Sequence, residues 1–174
     1  MAVDRVASLT FMADTTDKNN PTIVYVEDNS GDALLLEEAL RERGHAVELL
    51  IIEKGDKALR YFQIKDSASD LPPPHCILLD SHLPAITGAQ LLKFIRTSTL
   101  FDKTPVYIFA SEQEYRELAD AAQVSRQSFI AKPNTWDQFL LLADLLMKSV
   151  DVNLSGLTAS NPNTSPESLA AERR

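Results

Sequence analysis

The chain has 174 residues, 44% of them hydrophobic and 24% charged, with a formal net charge of −8. That is enough apolar material for one domain with a real core, and too acidic a balance for direct binding to nucleic acid, whose phosphates call for a basic face. A lone cysteine, Cys76, excludes an internal disulfide and suits a reducing compartment, and no apolar run approaches the ~20 residues of a membrane-spanning helix.

Residues 1–20 form a polar lead-in without the continuous apolar stretch of a signal peptide, so a cytoplasmic location is expected. Thr22-Ile23-Val24-Tyr25-Val26 reads as a first strand and ends in the acidic pair Glu27-Asp28. A helix follows from about Ser30 to Arg43, with Asn29 or Ser30 able to cap its start and Gly44 its end. Ala46 to Ile52 is a second strand, and Asp56 to Lys65 a helix carrying Ala58, Leu59 and Phe62 on one side. Residues 66–74, ending in three prolines, read as a loop.

The run His75-Cys76-Ile77-Leu78-Leu79 is a third strand that ends at Asp80. A helix over 88–97, a strand from Pro105 to Phe109, a helix over 112–122 and a strand over 127–131 follow, the last ending at Lys132-Pro133. A final helix is expected from about Thr135 to Val150, and residues from about 151 onward read as a polar, disordered tail rich in Ser, Asn, Thr and Pro. Five βα units whose strands are apolar throughout, rather than alternating, indicate one α/β domain with a parallel sheet covered on both faces.

Chemistry concentrates at the carboxyl ends of three of these strands, where an open α/β sheet carries its site. Glu27, Asp28 and Asp80 together suit a hard divalent cation, Mg²⁺ above all, which takes a few carboxylates and keeps several waters. Such a cation would let a phosphoryl oxygen approach Asp80, which could then act as a nucleophile and form an aspartyl phosphate. Lys132 would pair with a phosphoryl oxygen, or with Asp80 before transfer. Pro133 is a candidate cis proline that would aim that amine. His75, Cys76 and His82 lie near Asp80 but match no zinc spacing, and His75 and Cys76, adjacent on a strand, face opposite ways. His45, after Gly44, needs no role, and none of the five glycines falls in a nucleotide-binding pattern.

Val-Glu-Asp-Asn (26–29), Leu-Leu-Asp-Ser-His-Leu-Pro-Ala-Ile-Thr-Gly (78–88) and Phe-Ile-Ala-Lys-Pro (129–133) together resemble the receiver domain of bacterial two-component response regulators over about residues 21–150. Residues 55–62 also look like that family's second helix, and the long loop 66–74 is similar to that of stand-alone receivers paired with phytochrome-type histidine kinases. The resemblance implies a flavodoxin-like, doubly wound (βα)5 fold with a five-stranded parallel sheet. It further implies Asp80 as phosphoacceptor, Glu27 and Asp28 as metal-binding acids joined by the backbone carbonyl of His82, and Lys132 as the phosphate-pairing lysine.

One departure from the family pattern stands out. Receivers carry a Thr or Ser at the end of the fourth strand, and counting along Pro105 to Ser111 that position falls on Ala110. Ser111, one residue late, is a candidate substitute hydroxyl, and Phe129 matches the family's aromatic switch position, with a plain core aromatic as the alternative.

Trp136, Phe139, Leu140, Ala143, Leu146, Met147 and Val150 follow helical spacing and would cover the sheet, leaving Leu141, Leu142 and Leu145 outside that stripe. A tail, the preceding helix or a partner could cover this second apolar face; the resemblance, to receivers that self-associate through the last helices and strand, implies a homodimer through the last helix region. Leu34-Leu35-Leu36 offers another apolar surface, which in this family would meet the kinase. Expected function is therefore that of a Mg²⁺-dependent phosphoacceptor signalling through protein contacts, not an enzyme with a substrate of its own. Two other readings remain open: a degenerate receiver acting as a phosphorylation-independent scaffold, and an aspartyl-nucleophile phosphatase, against which His82 stands where such an enzyme has a second Asp.

Overall fold

Five apolar segments pair in parallel into a single sheet: Thr22–Val26 (β1), Glu48–Ile52 (β2), Cys76–Asp80 (β3), Val106–Phe109 (β4) and Phe129–Ile130 (β5), in the order β2-β1-β3-β4-β5. The computed structural model describes residues 20–68, 71–116 and 126–159. Among the described residues the α-helices are Ser30–Glu42 (α1), Gly55–Ser67 (α2), Gly88–Thr97 (α3) and Trp136–Ala159 (α4), with residues 112–116 starting a further helix between β4 and β5. This is the expected flavodoxin-like, five-stranded parallel sheet of a single domain.

Neighbouring residues of a strand face opposite ways, and the core divides accordingly. Val24, Val26, Ile77, Leu79 and Ile108 pack beneath Ala58 and Phe62 of α2 and Leu91, Leu92 and Ile95 of α3. Ile23, Tyr25, Leu78 and Phe109 pack beneath Ala33, Leu36 and Leu40 of α1 and Phe139, Ala143 and Leu146 of α4. The register sets Val26 opposite Leu79 and Asp80 opposite Phe109, so Glu27, one step beyond β1, is level with Asp80.

Asn29, rather than Ser30, caps α1, accepting from the Gly31 amide at 2.9 Å, and Gly44 turns the chain away with φ +69. The expected loop 66–74 starts later than its composition indicated. Asp66 and Ser67 complete α2, Asp66 bonding the Ser98 hydroxyl and Ser67 Oγ donating to the Ile64 carbonyl at 3.0 Å. Trans is the lower-energy form of an X–Pro bond by ~0.5–1 kcal/mol, and Lys132-Pro133 is trans, like every peptide among the described residues. Lys132 already reaches Asp80 in that form, so no isomer is needed to aim it.

The largest correction concerns α4. It runs to Ala159 instead of stopping near Val150, so residues 151–159 are helix rather than tail. Two tertiary contacts override the polar composition: Asn153 Nδ2 donates to the His75 carbonyl at 3.1 Å, and Leu154 packs on the core beside Val150. Within α4, Leu142 is buried although it falls outside the predicted stripe, and Trp136, assigned to that stripe, is 37% exposed at the helix start. Leu36 likewise turns inward, leaving only Leu34 and Leu35 of the α1 trio exposed. Residues 1–19, the segment 117–125 and residues 160–174 lie outside the described residues, and with them the end of the helix predicted over 112–122. No helix among the described residues is long and apolar enough to cross a membrane.

Candidate functional site

β1, β3 and the segment after β5 deliver Glu27, Asp80 and Lys132 to one point. The Lys132 ammonium lies 2.6 Å from Asp80 Oδ2, 2.8 Å from Glu27 Oε2 and 3.0 Å from Asp32 Oδ2. Asp32, on the first turn of α1, was not singled out by the sequence pattern. Its place four residues beyond Asp28 sets it over the same end of the sheet, where an acid also suits the helix N-terminus. Asp80 Oδ1 accepts from the His82 amide at 3.0 Å. Glu27, fully buried, accepts the Asn29 amide on Oε1 at 3.0 Å and the Tyr25 hydroxyl on Oε2 at 2.8 Å.

Burial and hydrogen bonding oppose one another here. Burial pushes the Asp80 carboxyl upward, yet the His82 amide and the Lys132 ammonium outweigh it and hold the group below its usual range. For Glu27 burial wins, keeping that carboxyl above its usual range despite bonds from Lys132, Asn29 and Tyr25. Burial would lower Lys132, but its bonds to Asp80, Glu27 and Asp32 raise it, so the amine stays charged. Burial also raises the Tyr25 phenol, helped by the neighbouring Glu27 charge. The site is thus a buried acidic pair clamped by one cation, with Asp80 the more readily ionised partner.

At the mouth, His82 lies with Nε2 3.4 Å from Glu114 Oε1 and Nδ1 2.9 Å from the Ser81 hydroxyl. Ser111 takes part in a local cap. Its hydroxyl accepts from the Glu114 amide at 3.3 Å while Glu114 Oε2 accepts the Ser111 amide at 2.7 Å, a capping box for the helix starting at 112. The spacing Ser-Glu-Gln-Glu at 111–114 carries that signal in the sequence. The register sets Phe109 level with Asp80, and Ala110, on which the family's fourth-strand Thr or Ser position was expected to fall, follows just past the strand, its amide donating to the Ile130 carbonyl at 3.2 Å. Neither residue has a hydroxyl. Phe129 is buried, its ring edge-on to Tyr115 at 4.8 Å.

Glu27, Asp28 and Asp80 offer carboxylate oxygens within 4.8 Å of one another, the one metal-capable cluster of three or more His, Cys, Asp or Glu among the described residues. Two oxygens bound to one Mg²⁺ at ~2.1 Å each lie at most about 4.2 Å apart, so a small turn of the exposed Asp28 closes the set. All-oxygen donors of net negative charge fit that ion. The zinc alternative fails on geometry: His75 and His82 flank opposite ends of β3, the His75 Nδ1 accepts the Thr22 amide at 3.0 Å, and burial pushes the Cys76 thiol up to about 12.

Comparison with known proteins agrees with this geometry. The pattern described as the response regulator receiver domain matches residues 23–144. Response regulator Rcp1 of Synechocystis sp. is 26% identical over 119 residues, covering 67% of this chain and 81% of Rcp1. The bacteriophytochrome response regulator RtBRR superposes with a TM-score of 0.58 at 27% identity, over 81% of this chain and 95% of that one. The receiver domain of the sensor histidine kinase PA1611 of Pseudomonas aeruginosa PAO1, solved with a magnesium ion coordinated in its active-site cleft, shares the fold. It has a TM-score of 0.57 at 22% identity, over 76% of this chain and 98% of that domain.

Proposed function

This chain belongs to the response regulator receiver domain family, and from that premise we propose that Asp80 accepts a phosphoryl group from a sensor histidine kinase in a Mg²⁺-dependent reaction. The observation that carries the reading is the convergence of Lys132 on Asp80 and Glu27 with Asp28 alongside. An Asp80 oxygen forms the new O–P bond as the N–P bond of the donor phosphohistidine breaks, the electron pair returning to the imidazole nitrogen. Glu27, Asp28, Asp80 and the His82 carbonyl would hold Mg²⁺, which when bound neutralises charge on the incoming phosphoryl oxygens. Lys132 keeps its proton, leaves Glu27 and pairs with a phosphoryl oxygen. The low-lying Asp80 carboxyl supplies the ionised nucleophile this requires.

The protein signals by changing its contacts and hydrolyses only its own aspartyl phosphate. The partner kinase is of phytochrome type, in line with the likeness to RtBRR, and Leu34 and Leu35, exposed at 57% and 40%, give it an apolar foothold. A homodimer through α4 is supported by Leu141, Leu145 and Val152, which stay 64%, 36% and 74% exposed on the side away from the sheet. The absence of a hydroxyl at Phe109 and Ala110 bears on how the modification is relayed, not on whether Asp80 can carry it.

The test is intact mass after exposure to acetyl phosphate, with and without Mg²⁺, alongside Asp80→Asn. A Mg²⁺-dependent adduct of one phosphoryl group, absent from the variant, is expected, and a change in oligomer size in the same samples supports the dimer. An adduct that persists in Asp80→Asn, or none in the parent protein, overturns the assignment.

A further inference from the structure

Tyr25 is the one residue of the β1 apolar run that carries a polar atom into the core. Residues two apart on a strand share a face, which brings the Tyr25 side chain and Glu27 to the same side of the sheet. The ring is fully buried under α1 and α4, and its hydroxyl donates to Glu27 Oε2 at 2.8 Å. The same ring meets Phe109 edge-on, with centroids 6.1 Å apart and planes at 80°. Phe109 in turn is the strand partner of Asp80, and the Lys132 ammonium lies 6.0 Å from its ring centroid. One phenol therefore touches an acid of the cluster by hydrogen bond and the wall beside the acceptor and the lysine by packing.

We propose that Tyr25 is a positioning residue for the Mg²⁺ site, holding the buried Glu27 carboxylate in its binding orientation when Lys132 turns away to the phosphoryl group. This rests on the reading of Glu27, Asp28 and Asp80 as the cation site. A carboxylate has about four acceptor positions, and Glu27 uses three: the Asn29 amide on Oε1, and the Tyr25 hydroxyl and Lys132 on Oε2. Of these donors, Lys132 has other work during transfer. Asn29 fixes one oxygen only, and a carboxylate held at one oxygen turns about that bond. Tyr25 fixes the second, from a ring that Phe109 keeps from swinging. The arrangement leaves one acceptor position on Glu27 for the cation or a water bound to it.

Tyr25→Phe removes the donor and keeps the ring and its contact with Phe109, so it separates the hydrogen bond from the packing. Magnesium affinity, measured by calorimetry on the unphosphorylated full chain, should fall roughly tenfold, the size expected for losing one hydrogen bond to a charged group. The Mg²⁺ concentration for half-maximal adduct formation with acetyl phosphate should rise by the same factor, while the rate at saturating Mg²⁺ recovers. In Glu27→Gln, whose amide no longer presents a carboxylate, Tyr25→Phe should have no further effect on Mg²⁺ affinity. A variant with lowered thermal stability but unchanged Mg²⁺ affinity would reduce Tyr25 to a core residue and overturn the proposal. Should the variant not fold, the parent protein labelled with ¹³C at the tyrosine Cζ decides: Mg²⁺ must move the Tyr25 resonance, and no movement overturns it. The calorimetric and resonance readouts need no phosphoryl transfer, so failure of the acceptor assignment at Asp80 would be seen separately, in the mass of the adduct.

Discussion

Replacing Lys132 with alanine removes the ammonium from a group of three acids lying 2.6, 2.8 and 3.0 Å from it. Glu27 is fully buried and the Asp80 side chain 5% exposed, whereas the Lys132 side chain is 32% exposed. Stripping the partner from a buried ion pair costs ~3–5 kcal/mol, and solvent screening at the partly open lysine brings the expected loss down to about 2–3 kcal/mol. At a few degrees per kcal/mol for a domain of this size, Tm should drop by roughly 6–12 °C in chelator. Lys132 has a raised value in the fold, so its contribution is complete below the unfolded pKa and fades only as pH rises through the folded one. The loss should therefore be constant across about pH 6–9. Magnesium then discriminates: a cation replaces the missing charge, and without the ammonium on Glu27 Oε2 and Asp80 Oδ2 it binds the variant more tightly. Saturating Mg²⁺ should restore at least half of the lost stability while acetyl phosphate gives little adduct. The assay is thermal unfolding with Mg²⁺ titrated from chelator to saturation. An equal deficit with and without Mg²⁺ would refute the reasoning, because Lys132 would then act through packing rather than charge.

Two further substitutions probe the same end of the sheet. Glu27 is raised in the fold, so its folded state is favoured below the unfolded pKa and that advantage is lost as pH rises through the folded value. In chelator, Glu27→Gln should raise Tm near about pH 7 and lose that gain near about pH 4, where the parent carboxyl is protonated too; a gain of equal size at both values would exclude the carboxylate as its source. Gly88→Ala sets a Cβ 2.2 Å from the Asp80 carbonyl oxygen, and backbone on both sides cannot yield cheaply. A loss of about 2–4 kcal/mol in urea unfolding is expected, and a fully stable variant would mean that the acceptor loop shifts freely.

The sheet and the acids were legible because each was a local signal. Ile23 to Val26 and Ile77 to Leu79 are apolar on both faces of a strand, and Glu27, Asp80 and Lys132 break those runs at their ends. What the chain does not print locally is distance through space. Asp32 looked like an ordinary first-turn acid, and only the pairing of β1 with β3 brings it within reach of Lys132. Tyr25 was indistinguishable from any strand aromatic until its hydroxyl met Glu27. Residues 151–159 lacked a helical stripe because their support comes from single contacts, Asn153 on His75 and Leu154 on the core, rather than from a periodic face. The Ser111 cap was readable from Glu114 three residues on, a spacing that competes with any role for that hydroxyl at Asp80.

The two glycines around the acceptor loop have a consequence for how a change at Asp80 propagates. A Cβ at Gly55 would lie 2.0 Å from the Ile86 carbonyl oxygen, and one at Gly88 2.2 Å from that of Asp80. Ala85 between them already sits at φ 68, a conformation L-residues adopt at a cost. The chain from Asp80 to Gly88 is thus wedged against α2 and α3 and has no slack. If Asp80 is modified as proposed, the added charge would press on the other side of the cleft, where Lys132 and residues 110–116 stand.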